Sequence, residues 1–194
     1  PAQAMVYIDP SCAVHGDGAV GEPCANAPGG AGPRNTWAGM PWVSGETYAQ
    51  RANSVYVGMV DVTTSGASKA DRITLTTYGD GARAIIRGTG QQFGIYLRGA
   101  VAHVTLASME VYGVDSGVGN RFLVRLGNGA GEEATDIHLI DLVLHSPVDP
   151  GGAVEDNDFL MSTAGDQSTT SKALSLAVNN LTIRRNRVIG GDWN

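Results

Sequence analysis

The chain has 194 residues, with 13 Lys or Arg against 19 Asp or Glu, so its formal net charge is −6 at pH 7. This length suits one domain with a sizeable core. An acidic chain without long basic clusters argues against nucleic acid as the main partner. No apolar run approaches the length of a transmembrane helix, which argues against a membrane as partner.

The two cysteines lie near the N-terminus, in a stretch rich in Gly, Pro and Ala. Cys12 and Cys24 are close enough in sequence to favour a disulfide-closed loop, and two free thiols are the alternative. A zinc site is disfavoured because only His15 lies near them. The disulfide and the small-x-small form of a signal-peptidase site at Ala2-Gln3-Ala4 predict a secreted or periplasmic protein.

Six phrases follow one another in the N-terminal half of the chain: Tyr7-Ile-Asp9-Pro10, Gly16-Asp-Gly18, Asn35-Thr-Trp37-Ala, Gly45-Glu-Thr47-Tyr48, Ile73-Thr-Leu75-Thr-Thr-Tyr78-Gly79 and Ala84-Ile85-Ile86-Arg-Gly88. They resemble the opening of secreted right-handed parallel β-helix proteins of the pectate-lyase-like superfamily. The resemblance implies a short first strand, a glycine-rich loop, a small helix that caps the open end and a turn into the first coil. It is specific to the fold, and no catalytic residue is carried over from it.

A pair of strand-like phrases recurs in the second half of the chain. Three segments share alternating apolar positions: residues 93–97, 122–126 and 159–163. Each is followed by a second strand-like phrase, at 103–111, 136–144 and 180–188 respectively. A fixed order of short strands with loops of varying length is typical of a solenoid. The sequence therefore predicts an all-β, right-handed parallel β-helix. Residues 1–54 would be the N-terminal strand, disulfide loop and cap, and residues 55–194 the coils of the same domain.

Side-chain alternation along each strand predicts which positions face the core. The inward positions are Ile95, Leu97, Val104, Leu106, Val124, Leu126, Ile137, Leu139, Leu181 and Ile183. Asn186 is a polar exception, and we expect it to hydrogen-bond neighbouring turns because buried amides need partners. His103 and His138 are predicted to be isolated surface histidines. Asn180-Leu-Thr182 matches a glycosylation sequon, which we expect to be unoccupied.

Three aspartates occupy similar places after the second phrases. Asp115, Asp149 and Asp192 each follow the last inward residue of a second phrase by four or five positions, so stacking would bring them into one column. Asp favours turns, and a purely structural role is the first interpretation. The other two are a calcium site built from carboxylate oxygens and an acid/base pair acting on a glycosidic bond.

Polar residues also gather on the outward face of the second phrases. The spacing predicts two neighbouring rows: Glu110, Val143 and Arg187 in one, and Tyr112, His145 and Ile189 in the other. Elimination from a uronate needs a base and a positive group that neutralises the carboxylate. The candidate substrate-binding residues are therefore Tyr112 and Glu110, and the candidate catalytic residues are His145, Arg187, Asp115 and Asp149. Mixed surface residues without a function are the alternative.

Two classes of function remain. The first is a secreted carbohydrate-active β-helix, a polysaccharide lyase or a glycoside hydrolase that acts on an acidic polysaccharide, with calcium as the only candidate cofactor. The second is a non-catalytic extracellular structural or adhesive subunit. The last coil, which ends with Trp193 and Asn194, has no covering segment in the sequence. It would be covered by further coils, or by another copy stacking head-to-tail into fibres.

Overall fold

The computed structural model describes residues 4–88, 93–112, 121–126, 134–145, 158–163 and 178–189. Within these ranges the chain forms strands and no helix. The strands are β1 (Met5–Ile8), β2 (Thr47–Arg51), β3 (Val55–Val57), β4 (Val60–Val62), β5 (Ile73–Tyr78), β6 (Ala84–Arg87), β7 (Phe93–Leu97), β8 (Ala102–Ala107), β9 (Met109–Tyr112), β10 (Arg121–Leu126), β11 (Ala134–Ile140), β12 (Val143–His145), β13 (Asp158–Thr163), β14 (Val178–Arg184) and β15 (Arg187–Ile189).

The strands form three sheets in which every pairing is parallel. Sheet A has the order β1-β2-β5-β8-β11-β14, sheet B the order β3-β6-β9-β12-β15, and sheet C the order β4-β7-β10-β13. From β2 onward the chain adds one strand to sheet A, then to B, then to C, and we call each such set of strands a repeat. The all-β, parallel prediction is confirmed, and the arrangement is consistent with a β-helix-like fold.

The alignment of the two recurring phrases is confirmed by the strand register. Phe122 pairs with Phe93 and Phe159, and Ile137 pairs with Val104 and Leu181. Corresponding positions of successive repeats therefore lie side by side, about 4.8 Å apart across the sheet. This register decides which polar side chains meet on the outer faces.

Apolar side chains from the three sheets share one core. Of the predicted inward residues, Ile95, Leu97, Val104, Leu106, Val124, Leu126 and Ile137 are fully buried and Leu139 is 2 % exposed. Leu181 is partly buried against this core. Ile183 is in register with Leu139 but is 57 % exposed, because no described strand lies beyond β14.

Asn186 makes the contacts between turns that the sequence predicts. Its Nδ2 donates to the Leu139 carbonyl (2.9 Å), and its Oδ1 accepts from the Leu142 N–H (2.8 Å). Both partners lie in the preceding repeat, so the side chain satisfies two backbone groups at the corner between sheets A and B. The role is structural, as expected.

The N-terminal cap differs from the expectation, because the described residues contain no capping helix. Irregular chain carries Trp37 and Trp42 instead, whose rings stack at 6.0 Å, and Trp42 meets Tyr48 edge-on at 4.6 Å. Trp37 donates to Gln50 of β2 (2.7 Å) and Trp42 to the Asp61 carbonyl of β4 (2.8 Å). These aromatic side chains pack on the first repeat, where the resemblance implied a capping helix.

The predicted disulfide joins Cys12 and Cys24, with their Cα atoms 5.6 Å apart. Closing a loop of this length contributes about 3 kcal/mol to stability. Asp9 lies beside the two sulfur atoms, but sulfurs bonded to each other are not available as metal ligands. None of the described residues forms a helix long and apolar enough to span a membrane.

Candidate functional site

The outer face of sheet B brings together the two rows that the sequence predicts. Register places Glu110 beside Val143 and then Arg187, and Tyr112 beside His145 and then Ile189. One repeat earlier, Arg87 is in register with Tyr112. Residues two apart on a strand share a face, so both rows point away from the core, in which Val111 and Leu144 are buried.

Four side chains on this face form a connected group, the Tyr112 cluster: Arg87, Glu110, Tyr112 and His145. The Tyr112 and His145 rings stack with centroids 4.1 Å apart and planes 3° apart. The Arg87 guanidinium lies over the Tyr112 ring, 5.4 Å from its centroid. These groups therefore stack from one repeat to the next on the outer face of the sheet.

The Glu110 carboxylate has polar groups on two sides. His145 Nε2 contacts Glu110 Oε1, and both side chains are about one-fifth exposed. The hydrogen bond to Glu110, together with burial, raises the pKa of Tyr112, so the phenol stays protonated and donates to the carboxylate. His145 Nε2 is buried against this carboxylate, although the two atoms do not meet with hydrogen-bond geometry. A carboxylate next to an imidazole can stabilise its charged form, which suits the pair to proton transfer.

None of the other predicted site residues is a described member of the Tyr112 cluster. Arg187 is exposed and lies one repeat beyond Val143, so it flanks the Tyr112 cluster without joining it. Asp115, Asp149 and Asp192 lie outside the described residues, and their roles in catalysis or calcium binding stay predictions. Arg87 was not among the predicted residues, although extending the row of Tyr112 by one repeat would have found it.

A second polar group, the Asp136 cluster, lies where the strands of sheet A begin. It consists of Arg72, His103, Asp136, His138 and Asn180. The Asp136 side chain is 3 % exposed and forms an ion pair with Arg72 Nη2. Asp136 Oδ2 also accepts from His103 Nδ1 (2.8 Å), and Oδ1 accepts from Asn180 Nδ2 (2.6 Å). Arg72 Nη2 lies 3.1 Å from His138 Nε2, to which it donates.

The prediction that His103 and His138 are isolated surface residues is therefore wrong. His103, Asp136 and Asn180 occupy neighbouring positions of three successive repeats, and each has a positive φ of 55°, 56° and 61° respectively. The αL backbone interrupts simple alternation, and stacking places the three side chains one above another. The Asn180 amide is already held by Asp136, so a glycan attached to its nitrogen would break this contact.

The Asp136 cluster links β8, β11, β14 and the residue before β5 through one ionised carboxylate. Burial by itself would raise the pKa of Asp136, but the His103 hydrogen bond and the Arg72 charge outweigh it, and the pKa lies below its ordinary value. Burial, and then the charge of Arg72, lower the pKa of His138, which is therefore neutral and free to accept from Arg72. These contacts indicate a structural role for the Asp136 cluster.

The two lowered pKa values predict that the protein loses stability in acid. The unfolded chain takes up a proton at His138 below about pH 6.5, and at Asp136 below about pH 4, before the folded chain does. The free energy of unfolding should therefore fall as the pH is lowered through these two windows. Urea unfolding between pH 8 and pH 3 measures the decline. The His138→Gln variant should lose less stability than the wild type between pH 6.5 and pH 5, and parallel curves would contradict the assignment.

Comparison with known proteins identifies the fold and no family. The sequence matches no protein-family model and no curated protein. Two crystal structures of GH136 lacto-N-biosidase from Eubacterium ramulus, the native protein and its selenomethionine derivative, are similar to this chain with TM-scores of 0.65 and 0.64. Both are 16 % identical to it, and each alignment covers 95 % of this chain and 34 % of the other. The chain thus spans about a third of the length of these proteins and shares the fold of that part.

Proposed function

We propose that this chain belongs to a secreted carbohydrate-active protein with a right-handed parallel β-helix, and that it binds and cleaves an acidic polysaccharide on the outer face of sheet B. The single observation that carries the proposal is the contact of Glu110 with Tyr112 and His145 at the centre of that face. The fold shared with part of a lacto-N-biosidase supports a carbohydrate substrate, and the disulfide supports secretion.

The geometry assigns a role to each member of the Tyr112 cluster. His145 accepts a proton at Nδ1, and the Glu110 carboxylate stabilises the imidazolium that forms. Tyr112 donates to Glu110 and holds its carboxylate in place. Arg87 supplies a positive charge that attracts an acidic glycan to this face. In a lyase His145 would take the proton from the carbon next to a uronate carboxylate, a C=C bond would form, and the glycosidic oxygen would leave from the neighbouring carbon and take a proton from water. In a hydrolase the pair would act on a water or on the glycosidic oxygen.

The proposal also includes the aspartates that follow β9 and β12 in the sequence. Asp115 and Asp149 follow the strands that carry Tyr112 and His145. In a hydrolase, one of them would supply the second carboxylate that glycoside cleavage uses. With Asp192 they would alternatively hold calcium through carboxylate oxygens.

An activity assay with paired variants tests the proposed function. The purified chain is incubated with acidic and neutral polysaccharides, and the release of reducing ends and of unsaturated products is followed. His145→Asn removes the proton carrier and Glu110→Gln removes the charge that stabilises its protonated form, so each should lower kcat/KM about 10²–10⁴-fold. Arg184→Gln, which changes an exposed arginine of sheet A, should match the wild type. Wild-type rates in both cluster variants, or no cleavage of any polysaccharide by the wild type, would overturn the proposal.

The second candidate is a structural subunit that associates through its outermost repeat. Ile183 of β14 is 57 % exposed and Val188 of β15 is 41 % exposed, and apolar area left in water costs roughly 25 cal/mol per Å². Further coils or another copy of the chain would cover these side chains. Sedimentation over a dilution series separates the two candidates: fibres without enzymatic activity favour the structural subunit, and a monomer at all concentrations rules it out.

A further inference from the structure

Two arginines on the outer face of sheet B differ from four other arginines of the described chain. Arg51, Arg72, Arg83 and Arg98 each form an ion pair with a carboxylate. Arg87 and Arg187 are exposed, and neither forms an ion pair with a described residue. In a chain with a net charge of −6, such guanidinium groups are available to an anionic ligand.

The two arginines lie at opposite ends of the Tyr112 cluster. Arg87 belongs to β6 and Arg187 to β15, and β9 and β12 lie between them in sheet B. Three steps across a parallel sheet amount to ~14 Å. Along this line the structure presents one polar group per repeat: the Arg87 guanidinium, the Tyr112 hydroxyl with Glu110, the His145 imidazole, and Arg187.

Apolar residues bound this polar strip. Val57 is in register with Arg87 on the preceding repeat and is 57 % exposed. Ile189 is in register with His145 on the following repeat. The strip therefore spans four repeats and runs in the direction in which the repeats stack, with Arg187 offset by one row.

We propose that Arg87 and Arg187 are the end subsites of a track that holds four consecutive sugars of an acidic glycan along the stacking direction. This inference rests on the proposed function and specifies the ligand of the same site. A pyranose unit adds to an extended glycan a length similar to the ~4.8 Å between neighbouring strands. Carboxylate or sulfate groups on the first and fourth sugars would then meet the two guanidinium groups, which bind such anions with paired N–H donors.

A track of four sugars predicts that affinity depends on the length of the ligand, whereas attraction between opposite charges alone does not predict a step at four units. A glycan shorter than four units reaches one arginine only, whereas a tetramer reaches both. Hydrogen bonds to charged groups are strong enough for the second contact to improve Kd about tenfold. Longer oligomers extend past Val57 or Ile189, where the described face offers no further guanidinium in these rows, so their affinity should level off.

Titration calorimetry with oligomers of a uronic acid, from dimer to hexamer, tests the inference, with neutral oligomers of equal length as control. For the wild type, Kd should fall from trimer to tetramer and then stay constant. Arg187→Gln should weaken tetramer binding about tenfold and leave dimer binding within twofold of the wild type. Arg184→Gln removes the same charge from sheet A of the same repeat and should change neither.

The outcomes separate this inference from the proposed function. If cleavage and binding depend on Glu110 and His145 but Kd is independent of length, or is unchanged in Arg187→Gln, the four-sugar track is wrong and the proposed function stands. If the wild type binds no uronate oligomer, both are wrong. If neutral oligomers bind as tightly as acidic ones, the track holds a glycan but the two arginines do not select its charge, and the inference fails.

Discussion

The Asp136→Asn variant is expected to lose about 3–5 kcal/mol of the free energy of unfolding, because it removes one partner of a buried ion pair. Arg72, whose side chain is 12 % exposed, would keep its charge without a carboxylate. His103 Nδ1 and Asn180 Nδ2 would also lose an ionised acceptor. Asn is as tolerant as Asp of the positive φ of 56° at this position, so the loss reports the charge and not the backbone.

Urea unfolding of the Asp136→Asn variant measures this loss at neutral pH. The matched control is Asp61→Asn, which removes the carboxylate from the more exposed ion pair between Asp61 and Arg98. Exposed pairs contribute about 0–1 kcal/mol, so the control should remain close to the wild type. Equal losses in the two variants would show that the Asp136 cluster does not hold the strands of sheet A together.

A second large loss, about 3–5 kcal/mol, is expected for Trp37→Ala, because it empties the centre of the N-terminal cap. Trp37 is 2 % exposed, stacks on Trp42 and donates to Gln50, which is fully buried. Gln50 Nε2 in turn donates to the Ile85 carbonyl of the next repeat (3.2 Å). Removing the indole therefore leaves both a cavity and an unsatisfied amide.

Thermal and urea unfolding of the Trp37→Ala variant measure the contribution of the cap. Trp37→Phe keeps most of the volume and loses the N–H donor, so it separates packing from the hydrogen bond. Val43→Ala, at a side chain that is 48 % exposed, should cost little and serves as control. If Trp37→Ala stays within about 1 kcal/mol of the wild type, the aromatic cap is not what covers the first repeat.

The sequence was sufficient to predict features that depend on alternation and repeat alignment. Once residues 104, 137 and 181 are aligned, the buried positions, the corner role of Asn186 and the pairing of Tyr112 with His145 all follow. These features need only the two-residue period of a strand and the stacking of equivalent positions. The predicted capping helix rested on resemblance alone, and aromatic packing replaces it here.

The Asp136 cluster was missed because strict alternation was assumed at the beginning of each second phrase. Positive φ angles at His103 and Asp136 break that alternation, and nothing in single-strand patterning reports them. The arginine of the cluster comes from two repeats earlier, through a long side chain. The sequence nevertheless contained a signal. In each repeat a polar residue directly precedes the first inward residue, namely Arg72, His103, Asp136 and Asn180.

Mapping the ligand on the protein tests the central claim most directly, namely that an acidic glycan binds across the outer face of sheet B. Amide and side-chain NMR shifts are recorded while the chain is titrated with a uronic acid hexamer. We predict that the largest changes occur at Arg87, Glu110, Tyr112, His145 and Arg187. Changes confined to the outer faces of sheets A or C, with these five residues unaffected at saturation, would contradict it.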